Sequence, residues 1–347
     1  MSPRAWLPVL PVLVALAAVS ACGRGATAPR STPAFGVAVE GCPVTASAIE
    51  SARASTGLPV RLVVFYLQWP GDPAAPCADQ TAALAASLRA IRAAGAVPCL
   101  TWEPMSIGAG GAERAIPARR VLQGEYDAYV TACARILRDA GGPVLVRLGH
   151  EMNLERYHWG GPADDYGPES PARYRALYRH VAKLIRAQGA ANVALVFCPN
   201  ADSVPRAAWN RVEAYYPGPD CVDVLGMDGY NWGTTRTKAD AGYDSAFRSF
   251  GDLFGPLRDD LRALAPDKPL MVFETASASA GGDKAAWAKA ALETASAWGI
   301  AAVAWFEVDK ELDWPLRRNV SADPAPALRP MVSDDPAWFR FPGEARP

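Results

Sequence analysis

Histidine is scarce in this chain: three residues in 347, scattered, with no His-x-His pair and no Cys/His cluster at zinc-ligand spacing. A metal-dependent hydrolase, which needs clustered His and Asp ligands, therefore lacks its donor set. Cys-x-x-Cys is missing too, and so is the G-x-G-x-x-G loop that an open, doubly wound dinucleotide-binding sheet would carry after an early strand. No long run of one charge occurs. Lys and Arg number 35, Asp and Glu 36, and the formal net charge is −1, so nucleic acid and anionic surfaces are not implied as partners. The apolar stretch from Trp6 to Val19 is too short for a transmembrane helix.

What is present begins with a targeting segment. Arg4 supplies a positive start, Trp6 to Val19 the apolar part, and Val19-Ser20-Ala21-Cys22 the small-residue cleavage site. That tetrapeptide resembles a bacterial lipobox, which would make Cys22 the lipidated first residue of an exported protein. Ordinary secretion after Ala21 is the alternative. Residues 1–22 are thus expected to be a signal peptide, and residues 23–33, rich in Gly, Ala, Ser, Thr and Pro, a flexible tether. Residues 34–347 remain for a single folded domain. Six cysteines follow Cys22, an even number that favours disulfides in an exported chain. Cys42 and Cys77 follow consecutive strand-like runs, so a Cys42–Cys77 bridge is expected.

Eight apolar, strand-like runs recur, at about 34–39, 61–67, 96–101, 144–148, 193–197, 222–226, 269–273 and 300–306. Near-continuous hydrophobicity is the pattern of strands buried on both faces of a parallel sheet. Amphipathic stretches alternate with them, at about 45–55, 79–94, 124–140, 171–188, 204–215, 243–264, 284–298 and 324–331. Eight such βα units predict a (β/α)8 barrel in one domain.

Chemistry belongs at the C-terminal ends of such strands, and there the polar and aromatic residues gather. The second run ends in Tyr66-Leu67-Gln68-Trp69, the third in Thr101-Trp102-Glu103-Pro104. The fourth delivers Arg147, His150, Glu151 and Asn153, followed by Tyr157, His158 and Trp159. The fifth ends in Pro199-Asn200, and the sixth gives Asp228, Tyr230, Asn231 and Trp232. Glu274 ends the seventh; Trp305, Glu307 and Asp309 end the eighth. A carboxylate at the end of a buried strand needs a reason, because an unpaired buried charge is costly. Two of them, Glu151 and Glu274, suggest the paired carboxylates of glycoside hydrolysis. Several of the 11 tryptophans lie where a sugar-stacking platform would be wanted.

Arg147-x-x-His150-Glu151-Met152-Asn153, Asp228-Gly229-Tyr230-Asn231-Trp232, Thr101-Trp102-Glu103-Pro104, Glu274 and the segment from Ala304 to Trp314 occur in this order. Together they resemble glycoside hydrolase family 26, the endo-β-1,4-mannanases, from the first strand to the eighth. The resemblance implies a (β/α)8 barrel of retaining enzymes, with Glu151 as acid/base and Glu274 as nucleophile. It implies that Tyr230 hydrogen-bonds the nucleophile with Asp228 in support. His150 and Trp305 would line the subsite beside the cleaved bond. Trp102, Arg147, Asn153, Trp159 and Trp232 complete the expected substrate-binding set. In such a mechanism the acid is protonated while the nucleophile is ionised, and Arg147 would hold the carboxylates by charge. The expected partner is a β-linked polysaccharide, handled by a monomer without cofactor or metal and touching the membrane only through its lipid.

One departure stands out. The mannanases tend to read His-Glu-Met-Asn-Gly, whereas here Leu154 replaces the Gly. The loop beside Glu151 is therefore altered, and the sugar extends to mixed-linked β-1,3-1,4-glucan or β-1,3-xylan as alternatives to mannan. A surface barrel that binds glycan without cutting it is a further alternative, but such a binder has no need of two opposed carboxylates.

Overall fold

The computed structural model describes residues 32–73, 78–157, 159 and 165–339. Eight parallel strands close into a barrel: β1 (Ala34–Ala38), β2 (Leu62–Gln68), β3 (Val97–Glu103), β6 (Val144–Leu148), β7 (Val193–Phe197), β8 (Val224–Asn231), β9 (Leu270–Ser277) and β10 (Ala302–Phe306). Each pairs with its neighbours in sequence order, and β1 closes the ring on β10, with Ala34 opposite Ala302 and Ala38 opposite Phe306. The hairpin β4 (Met105–Ile107) and β5 (Glu113–Ala115) is a separate two-stranded sheet in the loop after β3. It was not expected from the sequence, where three-residue strands leave no periodic signal.

Helices lie between the barrel strands for the reason the sequence gives: one apolar stripe each. Tyr174, Leu177, Tyr178, Val181, Ala182 and Ile185 of α5 (Ser170–Ala187) recur at helical spacing and are all buried. The other long helices are α1 (Ala46–Thr56), α2 (Ala78–Ala93), α4 (Asp127–Arg138), α8 (Phe250–Leu264) and α9 (Lys284–Ala297), with short α3 (Ala118–Leu122), α6 (Val212–Tyr215), α7 (Lys238–Ala241) and α10 (Ala325–Leu328). Two expected helices shrink. The 204–215 stretch is helical only at α6 after a 3-10 turn, Ala208–Asn210. The 243–264 stretch becomes helical at Phe250, because Ser249 caps it by accepting from the Asp252 N–H at 3.0 Å. Just before that cap, the Arg248 N–H donates to Asn231 Oδ1 at 2.9 Å, which ties the start of the helix to the end of β8.

Strands β8 and β9 run further than their apolar stretches suggested, carrying Asp228, Tyr230 and Glu274 inside the barrel. Between Val272 and Thr275, β9 also has one residue more than either neighbour: Met227 and Asp228 pair Val272 and Glu274, while Val303 and Trp305 pair Val272 and Thr275. Such a bulge bends a strand and re-aims its side chains. It falls at Glu274.

Cys42 is a free thiol whose sulfur lies 3.7 Å from Ser87 Oγ, against the expected bridge; Cys77 lies outside the described residues. Burial pushes the Cys42 thiol up, so it is held as the neutral group. Cys22, the signal segment, the tether up to Ser31 and His158 also lie outside the described residues.

Candidate active site

Arg147 projects from β6 into the barrel and is fully buried. Its guanidinium donates to Asp228 on β8, to Glu274 on β9 and to Thr101 Oγ1 on β3, the last at 2.7 and 3.1 Å. A buried guanidinium is tolerable only when so paired. His150, Asp228 and Glu274 place potential metal-ligand atoms within 4.8 Å of one another. The cation between the two carboxylates, however, is the Arg147 side chain itself. His150 is buried beside it, and burial with the Arg147 charge brings its imidazole down to about 3, so it is neutral.

Glu274 accepts from three donors. Tyr66 Oη donates to Oε1 at 2.7 Å, Arg147 donates to the same oxygen, and Tyr230 Oη donates to Oε2. Burial alone would raise this carboxyl; Arg147 and the tyrosine hydrogen bond outweigh it and hold the group down at about 2. It is ionised at neutral pH.

Glu151 is as buried as Glu274 but is held differently. It sits not in a strand but in the turn after β6, with φ of +50°, a left-handed conformation that costs a residue with a β-carbon some strain. Its backbone N–H donates to Cys198 O at 2.8 Å, which fixes the turn against the end of β7. The side chain has a neutral partner, Asn200 Nδ2, 2.6 Å from Oε1. Burial first, and the negative charge of Glu274 second, push its carboxyl up to about 8. Two carboxyl groups in one pocket thus hold opposite protonation states near neutrality, the arrangement that acid/base chemistry with a nucleophile requires.

The remaining expected residues divide. Tyr230 and Trp232 line the groove, as does Tyr157. Trp159 stands behind Tyr157, stacked on it at 5.2 Å, and donates its indole N–H to His150 O. Asn153 is buried under the site and clamps Asn200 by both backbone groups: Oδ1 accepts from Asn200 N at 2.8 Å, and Nδ2 donates to Asn200 O at 2.9 Å. It reaches Glu151 through Asn200. Trp102 and Trp305 do not face the groove. Trp102 alternates with the inward-facing Thr101 and so points outward, where its N–H meets Tyr129 Oη on α4 at 3.1 Å. Trp305 packs on Trp287 of α9 and donates to Trp314 O at 2.8 Å. In its place Trp314, from the loop after β10, meets Tyr230 and Trp232 at 5.1 and 4.9 Å and lines the groove. Buried Lys284, the first residue of α9, holds this loop. Its ammonium pairs with Asp313 at 3.2 Å and donates to the carbonyls of Asp313, Pro315 and Arg318, so it grips the chain on both sides of Trp314.

Tyr66, Asn200 and Trp314 were missing from the expected binding set. Position at the end of a predicted strand was the signal for Tyr66 and Asn200, while Trp314 closes the segment from Ala304 that carried part of the family resemblance. The strand ends open into a groove of about 1690 Å³ lined by Tyr66, Glu151, Tyr157, Asn200, Tyr230, Trp232, Glu274 and Trp314 among others. Pockets for small ligands run to about 300–1,000 Å³, so this one has room for a longer molecule.

Residues 116–256 match the model of Glycosyl hydrolase family 26. The chain is 32% identical over 293 residues to Endoglucanase H of Acetivibrio thermocellus, covering 82% of this chain and 29% of that protein. It is 31% identical over 112 residues to a mannan endo-1,4-beta-mannosidase of Bacillus subtilis, covering 31% of this chain and 28% of that protein. The chain therefore spans less than a third of the length of these relatives. The fold is similar to that of a modular endo-beta-1,4-mannanase from Cellulomonas fimi, with a TM-score of 0.64 at 19% identity over 91% of this chain and 76% of that one.

Replacing Arg147 with Met should leave Asp228 and Glu274 facing each other without a cation. Breaking a buried pair costs about 3–5 kcal/mol, so a loss of that order is expected in denaturant unfolding. Any folded fraction should titrate Glu274 at a higher pH than the parent, by carbon-13 NMR of the labelled carboxyl; an unshifted carboxyl would contradict the role given to Arg147.

Proposed function

We propose that this chain, a member of glycosyl hydrolase family 26, is a retaining glycoside hydrolase that cleaves β-linked polysaccharide, with Glu274 as nucleophile and Glu151 as acid/base. The observation that carries the reading is the opposite protonation of the two carboxyl groups in one groove, about 2 for Glu274 and about 8 for Glu151. An ionised Glu274 can attack the anomeric carbon, forming a glycosyl–enzyme ester, while protonated Glu151 gives its proton to the departing glycosidic oxygen. The resulting Glu151 carboxylate then takes a proton from water, whose oxygen displaces Glu274 and returns the sugar with its original configuration. Tyr66, Tyr230 and Arg147 keep Glu274 ionised and aimed. Asn200, held by Asn153, orients Glu151.

Endo-β-1,4-mannanase is the first substrate reading, supported by the strand-end motifs and by the mannosidase relative. A β-1,3-1,4-glucanase is the second, favoured by the longer match to a protein named as an endoglucanase; Leu154, in the loop beside Glu151, departs from the mannanase pattern. Product analysis on mannan, mixed-linked glucan and β-1,3-xylan separates them, and proton NMR of the first-formed anomer tests retention. With the cleaved substrate, kcat/KM should fall as pH rises through about 8, where Glu151 loses the proton it must donate, and at the acid end as Glu274 becomes protonated. Glu274→Ala should nearly abolish turnover on every substrate. Glu151→Ala should spare only glycosides whose leaving group needs no proton. Full activity of Glu274→Ala, or cleavage with inversion, would refute the assignment.

Export with a lipid on Cys22 belongs to the same reading, as placement for a monomeric enzyme that meets insoluble glycan outside the cell. The support is the Val19–Cys22 tetrapeptide behind its apolar run. Cys22→Ser should move the protein from the membrane fraction to the soluble one. A variant that stays as membrane-bound as the parent would contradict the anchor.

A further inference from the structure

Of the carboxyl groups that line the groove, one that is buried beside Glu151 and Glu274 has no place in the two-carboxylate chemistry. Glu103, the last residue of β3, lines the groove and is only 3% exposed. Among the described residues it forms no ion pair, and its one side-chain hydrogen bond comes from a neutral group, Gln68 Nε2. Burial pushes its carboxyl up to about 7. A carboxyl group is an expensive thing to bury with one amide for company. Where the core alone is concerned, an apolar side chain would serve better.

Register says what lies nearby. Gln68 and Glu103 are partners across β2 and β3, two residues beyond the partners Tyr66 and Thr101. Tyr66 holds Glu274 and Thr101 holds Arg147. Side chains two residues apart share a face, and two residues advance about 6.6 Å along a strand. The Gln68–Glu103 pair therefore forms the next layer toward the mouth, above the layer that holds the nucleophile. Around the ring, β3 and β9 are four strands apart in either direction, so Glu103 stands on the wall opposite Glu274.

We propose that Glu103, steadied by Gln68, is a specificity-determining residue that accepts hydrogen bonds from ring hydroxyls of the sugar whose anomeric carbon Glu274 attacks, or of its neighbour on the non-reducing side. This rests on the reading of the groove as a glycosidase site. A sugar seated on Glu274 fills the space between the two walls and turns the hydroxyls of its far edge toward β3. Hydroxyl donors suit a carboxyl oxygen. They also supply the partners that the protein withholds from Glu103. The carboxamide of Gln68, presenting both donor and acceptor, fixes where the carboxyl oxygens lie and so which hydroxyl configuration meets them.

The test is a double-mutant cycle between the protein and deoxy-sugars. A series of oligosaccharides, each lacking one hydroxyl on the two non-reducing-side rings, is assayed with the parent, Glu103→Gln and Glu103→Ala. For one or two hydroxyls, deletion should cost the parent about ten- to hundredfold in kcat/KM, the worth of a hydrogen bond to a charged group, and should cost Glu103→Ala almost nothing. The ratio of manno- to gluco-configured substrates should shift with the same variant. A merely structural Glu103 would lower every rate alike and leave each deoxy penalty as large as in the parent; that result overturns the inference. The same cycle is read by calorimetric affinity in a Glu274→Ala background, where nothing is cleaved. If the parent hydrolyses no β-glycan, the glycosidase reading fails while the affinity cycle still decides the contact. Glu103→Gln keeps the shape of the side chain, so the cycle does not depend on Glu103→Ala folding.

Discussion

One buried guanidinium organises this molecule. Arg147 stands inside a closed ring of strands and joins β3, β6, β8 and β9 through Thr101, Asp228 and Glu274. Arg147 is fully buried, so its charge acts on whatever it touches more strongly than it would at the surface. Glu274 stays ionised because of it, and neutral His150 can lie beside it only uncharged. Glu151, lacking a cation, takes the opposite state. A single arginine placement thus divides the two carboxyl groups into one held ionised and one held protonated.

The barrel was legible in the sequence because strands buried on both faces leave apolar runs, and helices packed on one side leave a stripe. Every one of the eight runs became a barrel strand. Their ends were less legible for a specific reason. Asp228 and Glu274 read as marking the ends of their strands because charge is foreign to a strand interior, yet they lie within β8 and β9, where Arg147 compensates them. Glu151 read as the end of a strand, and lies instead in a left-handed turn. A backbone conformation that only tertiary contacts maintain, here the bond to Cys198 O, leaves no trace in local composition.

The aromatic residues mark the same limit. Trp102 and Trp305 have the right type at the right height of the barrel, but alternation along their strands turns them outward, onto α4 and α9. Trp314 is in the groove because a loop brings it there, and loop paths are set by distant contacts. Asn153 illustrates an intermediate case: its motif flagged it, while its task, clamping the backbone of Asn200, became visible only with both residues in place.

Lys284 gives the groove a mechanical character. An ammonium that grips the chain on both sides of Trp314 makes the loop after β10 behave as masonry, where many enzymes have a hinged flap. That wall of the groove is then settled when the chain folds, and a ligand that meets Trp314 finds a surface that needs no rearrangement, so little ordering entropy is lost there on binding.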